Sequence, residues 1–125
     1  MKTILLVEDD EKISLAMTAR LKASGYAVVT AQDAPSALMK ARQTTPDVVL
    51  LDIGLPGGDG LEVAKNLQEK VFDHHVPIIF ITASKQEGLK AEAKKLRASG
   101  FIEKPFKASQ LLPAIDEALL SASSF

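Results

Sequence analysis

Apolar residues in this chain fall into short dense runs, separated by longer stretches in which they recur every three or four positions. The runs at Thr3–Val7, Ala27–Ala31, Val48–Leu51, Val76–Ile81 and, briefly, Phe101–Ile102 are rich in Val, Ile and Leu and are predicted to be five strands. The first, third and fourth are almost continuously apolar. Strands covered by helices on both faces need that pattern, whereas an antiparallel sandwich would show more polar alternation.

The intervening stretches have helical spacing. Ile13, Met17 and Leu21 repeat every four residues, and Gly25 follows as a C-terminal stop. Asp33 can cap a second helix that carries Pro35 in its first turn and turns Leu38 and Ala41 inward. Asp59 with Glu62 three residues later resembles a capping box for a third, whose apolar stripe is Leu61, Ala64, Leu67 and Val71. A fourth helix near Gly88–Ala98 has only Leu89, Ala93 and Leu96 to bury, which predicts the weakest packing of the set. The fifth spans roughly Ser109–Leu120 with Leu111, Ile115 and Leu119 inward. Pro113 sits late for a first-turn proline, so a late start or a kink is expected there.

Five alternating strand and helix units joined by right-handed crossovers predict an α/β, flavodoxin-like doubly wound (βα)5 fold with a five-stranded parallel sheet in the order 2-1-3-4-5. In that order chain direction reverses beside strands one and three, and ligands bind at their carboxyl ends. The chemistry is therefore expected after Val7 and after Leu51. With 125 residues and 46% hydrophobic content, one core is affordable, and residues 1–121 are read as one domain with 122–125 as a tail.

Composition removes several function classes. Basic and acidic side chains number 15 and 16, so the whole-molecule field offers no general attraction for nucleic acid or an anionic membrane. A partner must be recognised by local surface. Cysteine is absent, which excludes disulfides, thiolate metal sites and cysteine nucleophiles. The run Ile4–Val7 is too short for a signal-peptide core, and four acids, Glu8 to Glu11, follow it directly; nothing elsewhere approaches a membrane span, so a cytoplasmic protein is expected.

Acids from two distant parts of the chain meet at the expected crevice: Glu8, Asp9 and Asp10 after strand one, and Asp52 at the end of strand three. At about 4 Å and an effective dielectric near 20, each ionised pair costs roughly 4 kcal/mol. That is a large fraction of a domain's stability, roughly 5–15 kcal/mol, so something positive must offset it. Two or three carboxylates, a backbone carbonyl and waters suit Mg2+ better than a fully protein-built calcium cage. Thr82 closes strand four with a hydroxyl, and Lys104 follows strand five with an ammonium group. A carboxylate nucleophile, a metal, a hydroxyl donor and a fixed cation form a set suited to a transferring phosphoryl group. Taken singly, each has a plainer reading: Asp9 and Asp10 as helix caps, Asp52 as a turn acid, Thr82 as a strand-end hydroxyl, Lys104 as a solvated charge.

Four segments carry a family resemblance: VEDD at Val7–Asp10, LDIGLPGGDG at Leu51–Gly60, FITA at Phe80–Ala83 and EKPF at Glu103–Phe106. Through their order and the strand end to which each maps, nearly the whole chain resembles the receiver domains of two-component response regulators, of the chemotaxis-regulator kind. The resemblance implies that Asp52 is the phosphoacceptor, taking a phosphoryl group from a sensor histidine kinase or phosphotransfer protein in a Mg2+-dependent reaction. It makes Asp9 and Asp52 metal ligands, with Glu8 helping through water and Gly54 supplying a backbone carbonyl. Thr82 would bond a phosphoryl oxygen and shift, Lys104 would pair with the phosphoryl charge, and Phe101 would occupy the switch position. The bond from Lys104 to Pro105 would be cis.

The same resemblance implies a signalling switch, not an enzyme, that assists its own phosphorylation and dephosphorylation. It implies an output partner that the sequence does not name and a monomer or weak dimer through the fourth helix, fifth strand and fifth helix, while the balanced charge predicts no direct contact with nucleic acid or membrane. Phe101 reads equally well as a plain core aromatic. Arg97 stands where many members have glycine, Gly58 where methionine is common, and Gly54 and Ser84 at positions that influence dephosphorylation in the family.

Other readings fit less well. A phosphohydrolase of the haloacid-dehalogenase type wants a second acid two residues after the nucleophile, where Gly54 stands, so a general acid is missing. A flavin-binding module needs amides or hydroxyls after strand one, where this chain has acids. A degenerate receiver that only mediates contacts would lack a key residue, and none is lacking. His74 and His75 fall in a polar loop and are read as solvated. The basic side chains between Lys85 and Lys107 fit either a docking face or ordinary solvation of an exposed helix.

Overall fold

The Val- and Ile-rich segments form strands β1 (Thr3–Val7), β2 (Ala27–Ala31), β3 (Val48–Asp52), β4 (Ile78–Thr82) and β5 (Gly100–Glu103). The computed structural model describes residues 1–55, 60–83 and 88–122. All four pairings are parallel and the order is β2-β1-β3-β4-β5, as the alternation of elements predicts. β3 and β4 are buried at every residue, which is why their sequences carry no polar alternation. β4 starts two residues later than its apolar run, because Pro77 has no N–H for the ladder; its carbonyl still accepts from the Val49 amide at 3.0 Å.

Among the described residues, five α-helices cover the sheet. α1 (Glu11–Ala23) and α5 (Ala108–Ala122) lie on the face that carries Ile4, Leu6, Val48, Leu50, Ile79 and Ile81. α2 (Ala34–Thr44), α3 (Gly60–Asn66) and α4 (Leu89–Lys95) lie on the other, over Leu5, Val7, Val49, Leu51, Ile78 and Phe80. The two-residue repeat of a strand thus divides the core into two layers.

The caps follow the sequence closely. Asp10 accepts from the Ile13 amide at 3.1 Å to open α1, and Gly25, at φ 96°, ends it. Asp33 accepts from the Ser36 amide at 2.9 Å to open α2, where Ala37 and Ala41 are buried and Leu38 packs at the margin. Asp59, the expected cap of α3, lies outside the described residues. α3 buries Leu61, Val63 and Ala64 and runs on into a π-helical turn, Leu67–Val71, closed by the Phe72 amide on the Leu67 carbonyl at 2.9 Å. The repeat of apolar residues does not distinguish that wider turn from an α-helical one.

α4 is shorter than expected, and only Ala93 is fully buried in it, so it is held as loosely as its sparse apolar content predicts. α5 corrects the expectation of a late start, since it begins at Ala108 and continues through Pro113. Pro113 and Ser109 are both exposed, so the carbonyl that loses its helical N–H partner faces water. Leu111, Ile115 and Ala118 form its buried stripe, with Leu119 only partly covered.

Arg97 explains why α4 stops early. It adopts a left-handed conformation, φ 59°, just past the helix end. For a residue with a Cβ this costs roughly 1–2 kcal/mol, and glycine removes that cost at roughly 0.5–1 kcal/mol of extra chain entropy. Arg97→Gly is therefore expected to stabilise the domain by about 0.5–1 kcal/mol. Thermal unfolding checks it, with a rise in Tm expected; a fall would show that contacts of the arginine side chain outweigh the backbone strain.

Tyr26 ties the start of β2 to α5 by donating its hydroxyl to Asp116 Oδ1 at 2.6 Å. Burial, together with the adjoining carboxylate, pushes its phenol up to about 12. Because the chain has one tyrosine and no tryptophan, an ultraviolet titration reads this group alone. The midpoint is expected at about 12 in the wild type and lower in Asp116→Asn. A wild-type midpoint at the ordinary phenol value, about 10, would contradict the bond. A raised pKa means that the contribution to stability is full below the unfolded value and is lost as pH rises through the folded one, about 12.

Candidate functional site

At the carboxyl ends of β1 and β3 the chain places its acids in different environments. The Glu8 amide donates to the Ala31 carbonyl at 3.0 Å, which keeps Glu8 in the sheet and buries it. Asp10 turns away to cap α1, and Asp9 between them is exposed. Asp52 is the last residue of β3 and is buried; its Oδ1 accepts from the Gly54 amide at 2.9 Å.

Lys104 comes from the far end of the chain to the same point. Its Nζ lies 2.6 Å from Glu8 Oε1 and 2.9 Å from Asp52 Oδ2. Its amide donates to the Thr82 carbonyl at 2.8 Å, which fixes its backbone against the end of β4, and its bond to Pro105 is cis. Thr82 is buried at that strand end, one pairing beyond Ile81, which is opposite Asp52.

The electrostatics follow from burial and pairing. Burial pushes the Glu8 carboxyl above its ordinary value, and neighbouring Asp52 adds to the rise, although the Lys104 ammonium and the Asp10 amide act to lower it. Burial acts to lower the Lys104 pKa, but the hydrogen bonds to Glu8 and Asp52 outweigh it and hold the ammonium above its ordinary value. The expectation that a metal must offset the repulsion between the acids is therefore modified: an internal ammonium already does part of that work.

The residues nevertheless fit a hard divalent cation. Carboxylate oxygens of Glu8, Asp9 and Asp52 lie within 4.8 Å of one another. With all four groups ionised, three carboxylates and one ammonium leave a net charge of −2. All the donors are oxygen, and exposed Asp9 leaves the cluster open to solvent on one side.

Glu8, Asp9, Asp52, Gly54, Thr82 and Lys104 thus converge from four strand ends, whereas Phe101 does not join them. It pairs with Phe80 within the sheet, two residues before the end of β5, and packs half-buried against the core under α4. With Lys90, Ala93 and Lys94 of α4 it lines a groove of about 220 Å³. Another of about 470 Å³ opens toward Gln110, Ala114 and Glu117 of α5. Gly58 and Ser84 lie outside the described residues.

His74 and His75 are exposed, and His74 pairs with Asp73 at 2.7 Å, which holds the Asp73 carboxyl below its ordinary value. They line a groove of about 460 Å³ with Phe72, Gln68 and Arg97, at the opposite end of the sheet from Asp52. None of the expected site residues borders it. Gly60, which the sequence pattern does not mark as a site residue, is buried against the backbone of Asp52 and Ile53. The available signal was a glycine at the position where a helix is expected to begin.

Known proteins share this architecture. A profile of the family described as the response regulator receiver domain matches residues 4–116. The alkaline phosphatase synthesis transcriptional regulatory protein PhoP of Bacillus subtilis is 42% identical over 106 residues, which cover 84% of this chain and 43% of PhoP. Response regulator PleD of Caulobacter vibrioides is 38% identical over 102 residues, 82% of this chain and 22% of PleD. The chain therefore spans less than half the length of these relatives. Among solved structures, chemotaxis protein CheY4 of Vibrio cholerae superimposes with a TM-score of 0.84 at 31% identity, covering 94% of this chain and 98% of that one. A CheY-like receiver domain protein from Methanospirillum hungatei gives 0.89 at 28% identity, covering 98% and 96%. No helix among the described residues is long and apolar enough to cross a membrane. The match over most of the chain, on a sheet of the same order, means that this chain belongs to the response regulator receiver domain family, the phosphorylation-dependent signalling switches of two-component systems.

Proposed function

We propose that this domain accepts a phosphoryl group on Asp52 from a histidine kinase or phosphotransfer protein and signals through its α4, β5 and α5 surface. One observation carries the reading: a lysine hydrogen-bonded at once to a strand-end aspartate and to a second buried acid, beside an exposed third. Asp52 attacks the phosphorus of a phosphohistidine, a P–O bond forms as the P–N bond breaks, and the imidazole leaves. Lys104, already in contact with Asp52, transfers its hydrogen bond to a phosphoryl oxygen, and the Gly54 amide keeps the carboxylate oriented. Glu8, Asp9, Asp52 and the Gly54 carbonyl would hold Mg2+, which when bound neutralises charge on the phosphoryl oxygens.

The new dianionic group draws the Thr82 hydroxyl toward it, and Phe101 moves into the space released. The two grooves that Phe101 lines and the single buried residue of α4 support a rearrangement of that surface at low cost. The domain works in the cytoplasm as a monomer or a weak dimer through the same face, and its near-neutral charge argues against direct contact with nucleic acid or membrane.

Incubation with Mg2+ and a small acyl phosphate, followed by intact mass measurement, tests the assignment. The wild type is expected to gain one phosphoryl group, and Asp52→Asn and chelator-treated samples none. An unmodified wild type rejects the reading, and a gain that survives Asp52→Asn moves the acceptor elsewhere.

A further inference from the structure

We propose that Gly60 is a positioning residue for the phosphorylation of Asp52, because it lets the first turn of α3 press directly on the backbone that carries the acceptor. The inference rests on the reading of Asp52 as acceptor. A Cβ at Gly60 would lie 2.5 Å from the Asp52 carbonyl oxygen, 2.5 Å from Ile53 Cα and 3.0 Å from the Ile53 carbonyl oxygen. All three are backbone atoms, so no side chain can rotate to make room. The Gly60 amide donates to the Ile53 carbonyl at 3.0 Å, which clamps the two segments together.

Glycine is not here for its conformational freedom or for the helix. It is not among the residues with positive φ, and alanine is the better helix former by roughly 0.8–1 kcal/mol. What glycine supplies is proximity. To bring a Cβ to ordinary contact with Asp52 and Ile53, the segments would have to separate by about 1 Å. Ile53 leads directly to Gly54, whose amide holds Asp52 Oδ1 at 2.9 Å, so the separation is passed to the acceptor carboxylate. A misplacement of that size at a reacting centre is expected to slow transfer by about 10- to 100-fold.

The test compares initial rates of phosphorylation by a small acyl phosphate at saturating Mg2+, at a temperature where each protein is folded. Gly60→Ala is expected to react at least about tenfold more slowly than the wild type. Leu67→Ala, a buried truncation further along the same segment, is expected to stay within about threefold of the wild type. A folded Gly60→Ala at the wild-type rate overturns the inference while leaving Asp52 as acceptor. If Gly60→Ala does not fold, Leu61→Ala replaces it, since it loosens the same turn without a clash. A slower rate for Leu61→Ala than for Leu67→Ala supports the inference, and equal rates overturn it. A wild type that takes up no phosphoryl group overturns both the acceptor reading and this inference.

Discussion

Replacing Lys104 with Met is expected to lower the unfolding free energy by about 3 kcal/mol at neutral pH in the presence of a chelator. The Lys104 side chain is 16% exposed, and its partners Glu8 and Asp52 are 2% and 9% exposed, so the substitution leaves two nearly dry carboxylates facing each other without their cation. The loss is expected to shrink as pH falls, because burial already raises the Glu8 pKa and a protonated Glu8 no longer repels Asp52. In the wild type both raised values act in one direction. The Lys104 contribution is full below its ordinary 10.5 and is lost as pH rises through the higher folded value; for Glu8 the same holds from 4.5 upward.

Mg2+ is expected to stabilise Lys104→Met more than the wild type, since the ammonium no longer occupies oxygens that the ion needs. Denaturant titrations with and without Mg2+ read both effects. A loss under about 1 kcal/mol would show that the acids are already well hydrated. Equal gains from Mg2+ would show that lysine and ion do not compete.

Phe80→Ala is expected to cost about 4 kcal/mol. Phe80 is fully buried in β4, pairs with Leu51 on one side and Phe101 on the other, and lies in the layer under α4. Truncation opens a cavity beneath the helix with the fewest anchors, so amide exchange is expected to accelerate in α4 before it does in β1 or β3. Denaturant unfolding gives the total, and exchange gives its distribution. A loss under about 2 kcal/mol would show that α4 collapses into the space and refills it. Against a total stability of roughly 5–15 kcal/mol, the expected loss leaves a marginal domain.

The sequence made the sheet legible because β1, β3 and β4 need apolar residues on both faces, and no other element writes so dense a pattern. Element ends were less visible where one backbone group decides them. Pro77 delays β4 through a missing donor, Arg97 ends α4 in a conformation that its side chain does not announce, and Pro113 passes through α5 because its face is wet. The π-helical turn after α3 left no trace in the periodicity. At the site, topology alone brought Glu8, Asp9 and Asp52 together. The bond from Lys104 to Glu8, 96 positions apart, and the pressure of Gly60 on Asp52 depend on side-chain reach and backbone contact, which residue order does not encode.

The five strands also act as a partition. Leu50, Ile79 and Ile115 on one side belong to a different cluster from Leu51, Phe80 and Leu67 on the other, so steric changes between these residues cross through the ladder. Away from the β5 edge, where one groove joins Phe101 to Ala114, combinatorial libraries confined to either compartment can therefore be optimised separately and then recombined, with near-additive effects between compartments.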